Sequence, residues 1–429
     1  MLTTLPNGLT VIVEEIPHVR SVAVGLWAKA GSRYEEPSQA GLSHFLEHMF
    51  FKGSTHRTAK QIAEAIDAVG GQLSAFTGKE HSCFYARVLD EHFVLALDIL
   101  SDMLMNPLFA QDDIERERNV VLEEINSYED TPDDLIHDLI LEAFWEDHPL
   151  GRSILGPEEV VKGFEREQVR QLCEERYTPD NMVVAVAGRV DPRLVADEVE
   201  SRLGAMRGRG RTTDERAPRP AAGRLFREKD SEQVHLCLAG PGQPASEDRS
   251  FYAAQVLSTM VGGGSSSRLF QRIREERGLT YSIYTYTSSY QDGGLLATYA
   301  GAGPAQSRQV LDLILEELER FRREGPDEEE LQRARAQLKA GVVLGLESTT
   351  NRMMRLGRLQ LTLGRQVSPD EVISRVDAVT KDEVMAVAAD SLDRDKLAVA
   401  ALGPSEALAD LERAFAPNSA GGRGAGGAK

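Results

Sequence analysis

Leu42, Phe45, Leu46, Met49 and Phe50 recur at the i, i+3, i+4, i+7 and i+8 spacing of a helix that turns one apolar stripe to a core. The opposite side of that wheel gathers His44, Glu47, His48 and Phe51. Pro37 and Ser38 predict the start of this helix and Gly53 its end. A longer helix is predicted over 111–129, where no Gly or Pro interrupts the chain and Ile114, Val120, Val121, Leu122 and Ile125 sit among charges. Apolar runs predict strands at 21–27 and 234–239, each followed by Gly and then by helical sequence. Over 70–88 a Gly-Gly turn precedes two strand-like runs. That pattern fits an edge strand open to an extended peptide, and equally a hairpin packed inside a sheet.

The second half of the chain repeats the first. Residues 164–188 read as a charged helix and then an apolar strand ending in Gly, and 379–403 read the same way, displaced by 215 positions. After each glycine comes a Pro-containing turn and another helix. The expected fold class is therefore α+β: two homologous α/β-sandwich-like halves, each a mostly antiparallel sheet with helices. Residues 207–224 are rich in Arg, Gly and Pro and poor in apolar side chains, which predicts a linker between an N-terminal domain at 1–206 and a C-terminal domain at 225–415. The last stretch, 416–429, has nothing to bury and is expected to be a disordered tail.

Composition narrows the partners. At 429 residues and 41% hydrophobic content the chain can bury more than one core. A formal net charge of −19 disfavours nucleic acid and anionic membranes, and the short Arg-rich linker has no interleaved aromatics. There is no apolar run of the ~18 residues that span a bilayer, and the N-terminal stretch lacks the basic start and apolar core of an export signal. A cytoplasmic, soluble protein is expected. Cys83, Cys173 and Cys237 are scattered without Cys-x-x-Cys spacing and are expected to be reduced thiols. Gly262 to Ser267 lack the Gly-Lys-Ser/Thr of a phosphate loop and read as a helix end or hinge.

The helix at 42–50 carries the chemistry. Residues 44–48 form His-x-x-Glu-His, which puts two imidazoles and a carboxylate on one side of a helix turn, the donor set of a metal-dependent hydrolase. With nine His and 68 Asp+Glu in the chain, about 0.03 such matches are expected by chance. Two imidazoles fall short of the three protein ligands of a catalytic zinc. In the 111–129 helix, Glu117 and Glu124 are seven apart and share a face, whereas Glu123 lies at another phase. Most glutamates on such a helix simply face solvent, and spacing alone does not choose a ligand among them.

These residues resemble the pitrilysin or insulinase metallopeptidases, in particular the short type similar to mitochondrial processing peptidase subunits. That family's mark is the inverted motif followed by a glutamate ligand 76 residues after the second histidine, which here is Glu124. The resemblance implies one zinc per chain held by His44, His48 and Glu124, with Glu47 as general base and Glu117 supporting the ligands. It implies a substrate-lining strand at Ser74, Ala75, Phe76 and Thr77, where the family usually has Asn in place of Ser74. It implies that Arg274 and Tyr281, seven apart in the second half, reach substrate and that Tyr281 assists catalysis. The implied protein is an endopeptidase cleaving peptides or unfolded segments, a clamshell that works as a homodimer. Two rivals remain: a noncatalytic scaffold of the same fold, and a purely structural zinc, which would need a fourth protein ligand.

Overall fold

The computed structural model describes residues 1–210, 216–246 and 248–415. The N-terminal half contributes strands β1 (Leu2–Thr4), β2 (Thr10–Glu15), β3 (Ser21–Ala28), β4 (Gln72–Thr77), β5 (Ser82–Leu89) and β6 (Met182–Gly188). Its helices are α1 (Leu42–Phe50), α2 (Ala59–Asp67), α3 (Phe93–Met105), α4 (Gln111–Glu129), α5 (Pro132–Trp145), α6 (Glu158–Val161), α7 (Arg166–Arg176) and α8 (Pro192–Leu203). The C-terminal half contributes β7 (Arg224–Glu228), β8 (Val234–Pro241), β9 (Thr280–Ser289), β10 (Gly294–Ala302) and β11 (Ala398–Gly403). Its helices are α9 (Arg249–Gly262), α10 (Ser307–Glu324), α11 (Glu328–Gly345), α12 (Thr349–Leu363), α13 (Pro369–Asp377), α14 (Lys381–Ser391) and α15 (Ser405–Phe415).

Apart from the additional edge strand β1 in the first, the two sheets have one topology. The first runs β1-β2-β6-β3-β5-β4 and the second β7-β11-β8-β10-β9. In each, one parallel pair (β2 with β6, β7 with β11) adjoins an otherwise antiparallel sheet. The repeated helix–strand units are α7 with β6 and α14 with β11, and the last strand of each ladder, β4 or β9, is an edge. Mixed helices and sheets in two related halves match the expected class.

Each sheet has two apolar faces, so each must be covered twice. One face of the first sheet packs on α1, α3 and α8 through Val22, Val24, Leu26, Phe45, Leu97 and Val199. The corresponding face of the second packs on α9, α10 and α14 through Leu236, Leu238, Leu257, Ile314 and Val387. The remaining faces are covered by exchange. Helix α5, from the N-terminal half, lays Leu139, Ile140, Phe144 and Trp145 on Cys237, Ala239, Ala297 and Ala400 of the second sheet. Helix α12, from the C-terminal half, lays Met353 and Leu356 on Ala23, Trp27, Val183 and Ala185 of the first.

The second contact is close because glycine permits it. A Cβ added to Gly357 would sit 2.2 Å from Trp27 Nε1, and the Trp27 indole N–H meets Met353 Sδ at 3.4 Å. The buried Arg33 guanidinium adds a polar tie, bridging Glu80 at 2.7 Å to Asp292 of the other half at 2.6 Å. Described linker residues lie against the same seam, with the Ala221 N–H on the Phe144 carbonyl at 2.8 Å. The expected tail at 416–429 and linker residues 211–215 lie outside the described residues. Cys83, Cys173 and Cys237 are free thiols.

Candidate functional site: a histidine–glutamate cluster

Helix α1 begins later than its sequence predicts. Pro37–Gln39 forms a separate 3-10 turn, and the α-helix starts at Leu42 after Gly41, whose φ of 95° is left-handed. The start is set by a distant cap. Glu35, itself buried, accepts the Gly41 N–H at 2.8 Å and the Ser43 N–H at 2.6 Å. A carboxylate at a helix N-terminus satisfies orphan donors and complements the dipole. Burial nonetheless pushes the Glu35 pKa up, with the Ser43 and Gly41 bonds opposing. The apolar stripe is as expected: Leu42, Phe45, Leu46, Met49 and Phe50 are all buried, and the Phe45 ring meets Phe164 edge-on at 5.4 Å.

With that stripe anchored, His44 and His48 point to α4. One possible ligand atom from each of His44, His48 and Glu124 lies within 4.8 Å of the others, the one such trio among the described residues. His44 Nε2 is 3.6 Å from one Glu124 oxygen and His48 Nε2 is 3.6 Å from the other. These distances are too long for hydrogen bonds. They are near the separation of about 3.3–3.4 Å that tetrahedral ligands keep at zinc–ligand lengths of 2.0–2.1 Å. Burial, and then His48, lower the His44 pKa to about 4, which keeps that imidazole neutral. Two imidazoles and a carboxylate, converging without bonding one another, fit a zinc ion with one position left over.

The surroundings support the trio. Glu117, one helix repeat before Glu124 and almost fully buried, meets His48 Nδ1 at 3.2 Å with one oxygen and Lys52 Nζ at 2.6 Å with the other. Such a contact fixes the ring and leaves Nε2 free for a metal. Glu47 is raised in pKa chiefly by burial, a Thr77 hydrogen bond opposing, and its Oε2 is buried with no partner among the described residues. Glu123, by contrast, is exposed. A cleft of 340 Å³ lies between Glu47, His48 and Lys52 on one side and Leu73, Ser74 and Ala75 on the other. Strand β4 is bonded only to β5, so of the two arrangements its sequence allows, the edge strand is the one present. Phe76 turns to the far face and packs edge-on against Trp27.

Arg274 and Tyr281 come together, but apart from this cluster. Arg274 lies on a π-helical segment, Phe270–Glu275, and its guanidinium stacks on Tyr281 at 4.7 Å and on Phe270 at 4.6 Å. Tyr281, near the start of the edge strand β9, is 78% exposed. Among the described residues no hydrogen bond, ion pair or ring contact joins either to His44, His48, Glu47 or Glu124. Among its described residues the second half has no metal trio, and α9 contains neither His nor Glu.

Residues 10–158 match the family described as insulinase (peptidase family M16), and residues 163–338 match the peptidase M16 inactive domain. An uncharacterized zinc protease of Bacillus subtilis, YmxG, is 43% identical over 402 residues, covering 94% of this chain and 98% of the relative. The chain belongs to the insulinase family of peptidases. An uncharacterized zinc protease of Streptomyces coelicolor is 42% identical over 412 residues, with 94% of this chain and 89% of the relative covered. The fold matches crystal structures of a peptidase M16 inactive domain from Pseudomonas fluorescens (TM-score 0.88, 20% identity, 94% and 98% of the chains) and a protease from Helicobacter pylori (TM-score 0.86, 19% identity, 94% and 99%).

Sequence reasoning missed three supporting groups. Lys52 had a signal, since it follows His48 by four positions and shares its helix face, although it lies just past the helix end. Thr77 was read as lining a substrate strand rather than as a partner of Glu47. Glu35 carried no signal, because the cap it supplies depends on the fold of a loop.

Proposed function

We propose that this chain is a zinc-dependent endopeptidase acting on peptides or unfolded segments. The observation that carries the reading is the convergence of His44, His48 and Glu124 beside Glu47, whose Oε2 has no partner among the described residues, and an open sheet edge. His44, His48 and Glu124 would hold one zinc per chain, with Glu117 steadying His48. Zinc bound there supplies Lewis acidity, polarising a carbonyl and making water a stronger acid. Glu47 takes the proton from the attacking water and returns it to the leaving amine. The backbone of β4 at Ser74, Ala75, Phe76 and Thr77 pairs with the extended substrate, the usual mode of strand addition.

Arg274 and Tyr281 complete the site by holding a substrate carbonyl and donating to the developing oxyanion. We assign them to the site of a second copy. Separating α5 from the second sheet would expose Leu135, Ile136, Leu139, Ile140 and Phe144, at about 1.5–3 kcal/mol for each large side chain. That sum is comparable with the whole net stability of a domain, so closure of one half on the other within a chain is disfavoured. A homodimer in which each copy supplies the other's arginine and tyrosine needs no such opening. The linker at 207–224 then divides a metal-holding domain from one that presents this pair, and the reading is of a cytoplasmic enzyme.

Zinc content and cleavage of a quenched peptide library test the proposal. Glu47→Gln should keep its zinc and lose about 10²–10⁴-fold in turnover; full activity in this variant refutes the mechanism. Mixing Glu47→Gln with an Arg274→Ala/Tyr281→Phe chain should restore activity that neither has alone. No restoration after subunit exchange refutes the shared site.

A further inference from the structure

We infer that the cavity between the two halves binds a small amphiphile with a free carboxylate, which Arg358 holds. The cavity, 740 Å³, is walled by Trp27 and Phe76 of the first sheet, Phe251 of α9, and Leu359 and Leu363 of α12. Its size falls in the range of small-molecule sites, which are mostly apolar with a few placed polar groups. Strand β4 separates it from the histidine–glutamate cluster: side chains alternate along a strand, so Phe76 faces this cavity while Ala75 faces the cleft beside Glu47. The inference does not depend on catalysis.

The arginines of α12 that lie along this seam differ in one respect. Arg352 is paired with Glu14, and Arg355 donates to the Val367 carbonyl. Arg358, which lines the cavity, has no hydrogen bond or ion pair among the described residues. Arg358 is an exposed residue, although the protein around it still lowers its pKa by desolvation, and no acid offsets that effect. The one carboxylate among the described lining residues, Glu80, is already engaged by Arg33 at 2.7 Å and by the Gln291 N–H at 3.1 Å. The His81 side chain, also in the lining, makes no hydrogen bond among the described residues, and burial and Arg358 keep it neutral, with a pKa of about 4. A neutral imidazole donor and a free guanidinium, close enough to interact, in a mostly apolar lining suit a single carboxylate on a hydrophobic body.

That chemistry is shared by a fatty acid and by the C-terminus of an apolar peptide, and matched probes separate them. Isothermal titration of the full chain would use decanoate against decan-1-ol, and N-acetyl-leucyl-phenylalanine against its C-terminal amide. At least one acid should bind, about tenfold or more tighter than its neutral partner, the preference expected of a charge-assisted bond. Arg358→Met should abolish that preference, and Met354→Trp, which fills the cavity and keeps the guanidinium, should weaken the acid as well. Binding of decanoate alone identifies a fatty-acid-like ligand, and binding of the peptide acid alone a chain terminus. Failure of both acids on the wild-type chain, or acid binding untouched by Arg358→Met in a variant with native circular dichroism, overturns the inference.

Discussion

Glu117 offers a measurable test of how the cluster is held. It accepts from two donors at once, His48 Nδ1 at 3.2 Å and Lys52 Nζ at 2.6 Å, while its side chain is only 6% exposed. With His48 Nε2 turned to Glu124, the ring proton belongs on Nδ1, so both neighbours of Glu117 donate. Glutamine in its place has the same shape but one accepting and one donating end. Either orientation leaves a donor facing a donor in a buried place, a cost of about 1–3 kcal/mol. Where that cost falls on the ring orientation that zinc needs, affinity should drop about 10–100-fold, as is usual for partners of metal-ligating histidines. Competition against a chromophoric chelator at neutral pH measures it, with circular dichroism as the check on folding. Lys52→Met removes the second donor, so Lys52→Met/Glu117→Gln should recover part of the loss. Zinc affinity of Glu117→Gln within twofold of wild type, or no recovery in the double variant, refutes the account.

Three other outcomes follow from the structure. Gly357→Ala should destabilise the chain by about 1–3 kcal/mol through overpacking on Trp27, whereas Gly341→Ala, in α11 with nothing within 4 Å, should stabilise it by about 0.5–1 kcal/mol; urea melts that move both in the same direction count against the close contact. His81 is held near pKa 4 in the folded chain against an ordinary 6.5, so the unfolded chain takes up its proton first. Its contribution is constant above pH 6.5 and is lost as pH falls to about 4, at up to about 1.4 kcal/mol per pH unit; His81→Gln should flatten the pH dependence of stability in that window, and an unchanged slope refutes the assignment. Arg33→Met leaves the part-buried Glu80 beside Asp292 without its cation, which should cost about 1–3 kcal/mol, with Arg33→Lys intermediate; a loss well below 1 kcal/mol in urea melts would mean the tie between the halves is weak.

Much of the cluster was legible in the sequence because helices make spacing into geometry. The stripe from Leu42 to Phe50 assigns His44, Glu47 and His48 to the opposite face, and the separation of Glu117 from Glu124 puts them on one face of α4. Which of several glutamates meets the histidines was not legible from periodicity, since it depends on how α4 crosses α1, and the resemblance to a known family supplied that choice. The start of α1 was misread at Pro37 and Ser38 because its cap is Glu35, a residue outside the helix and reached through a loop.

The repeat of helix and strand 215 positions apart determined by itself that the chain holds two related sheets, since alternation and periodicity are local properties that each segment carries with it. The exchange of α5 and α12 is different. Each helix belongs to its own half by position in the chain, and only tertiary structure decides that each covers the other half's sheet, because two exposed apolar faces and two spare helices can be matched in more than one way. That match ties the halves together, leaves Arg274 and Tyr281 out of contact with the histidines of their own chain, and forms the cavity that Arg358 lines. Local patterning sets which faces must be buried, and packing across the seam sets what buries them.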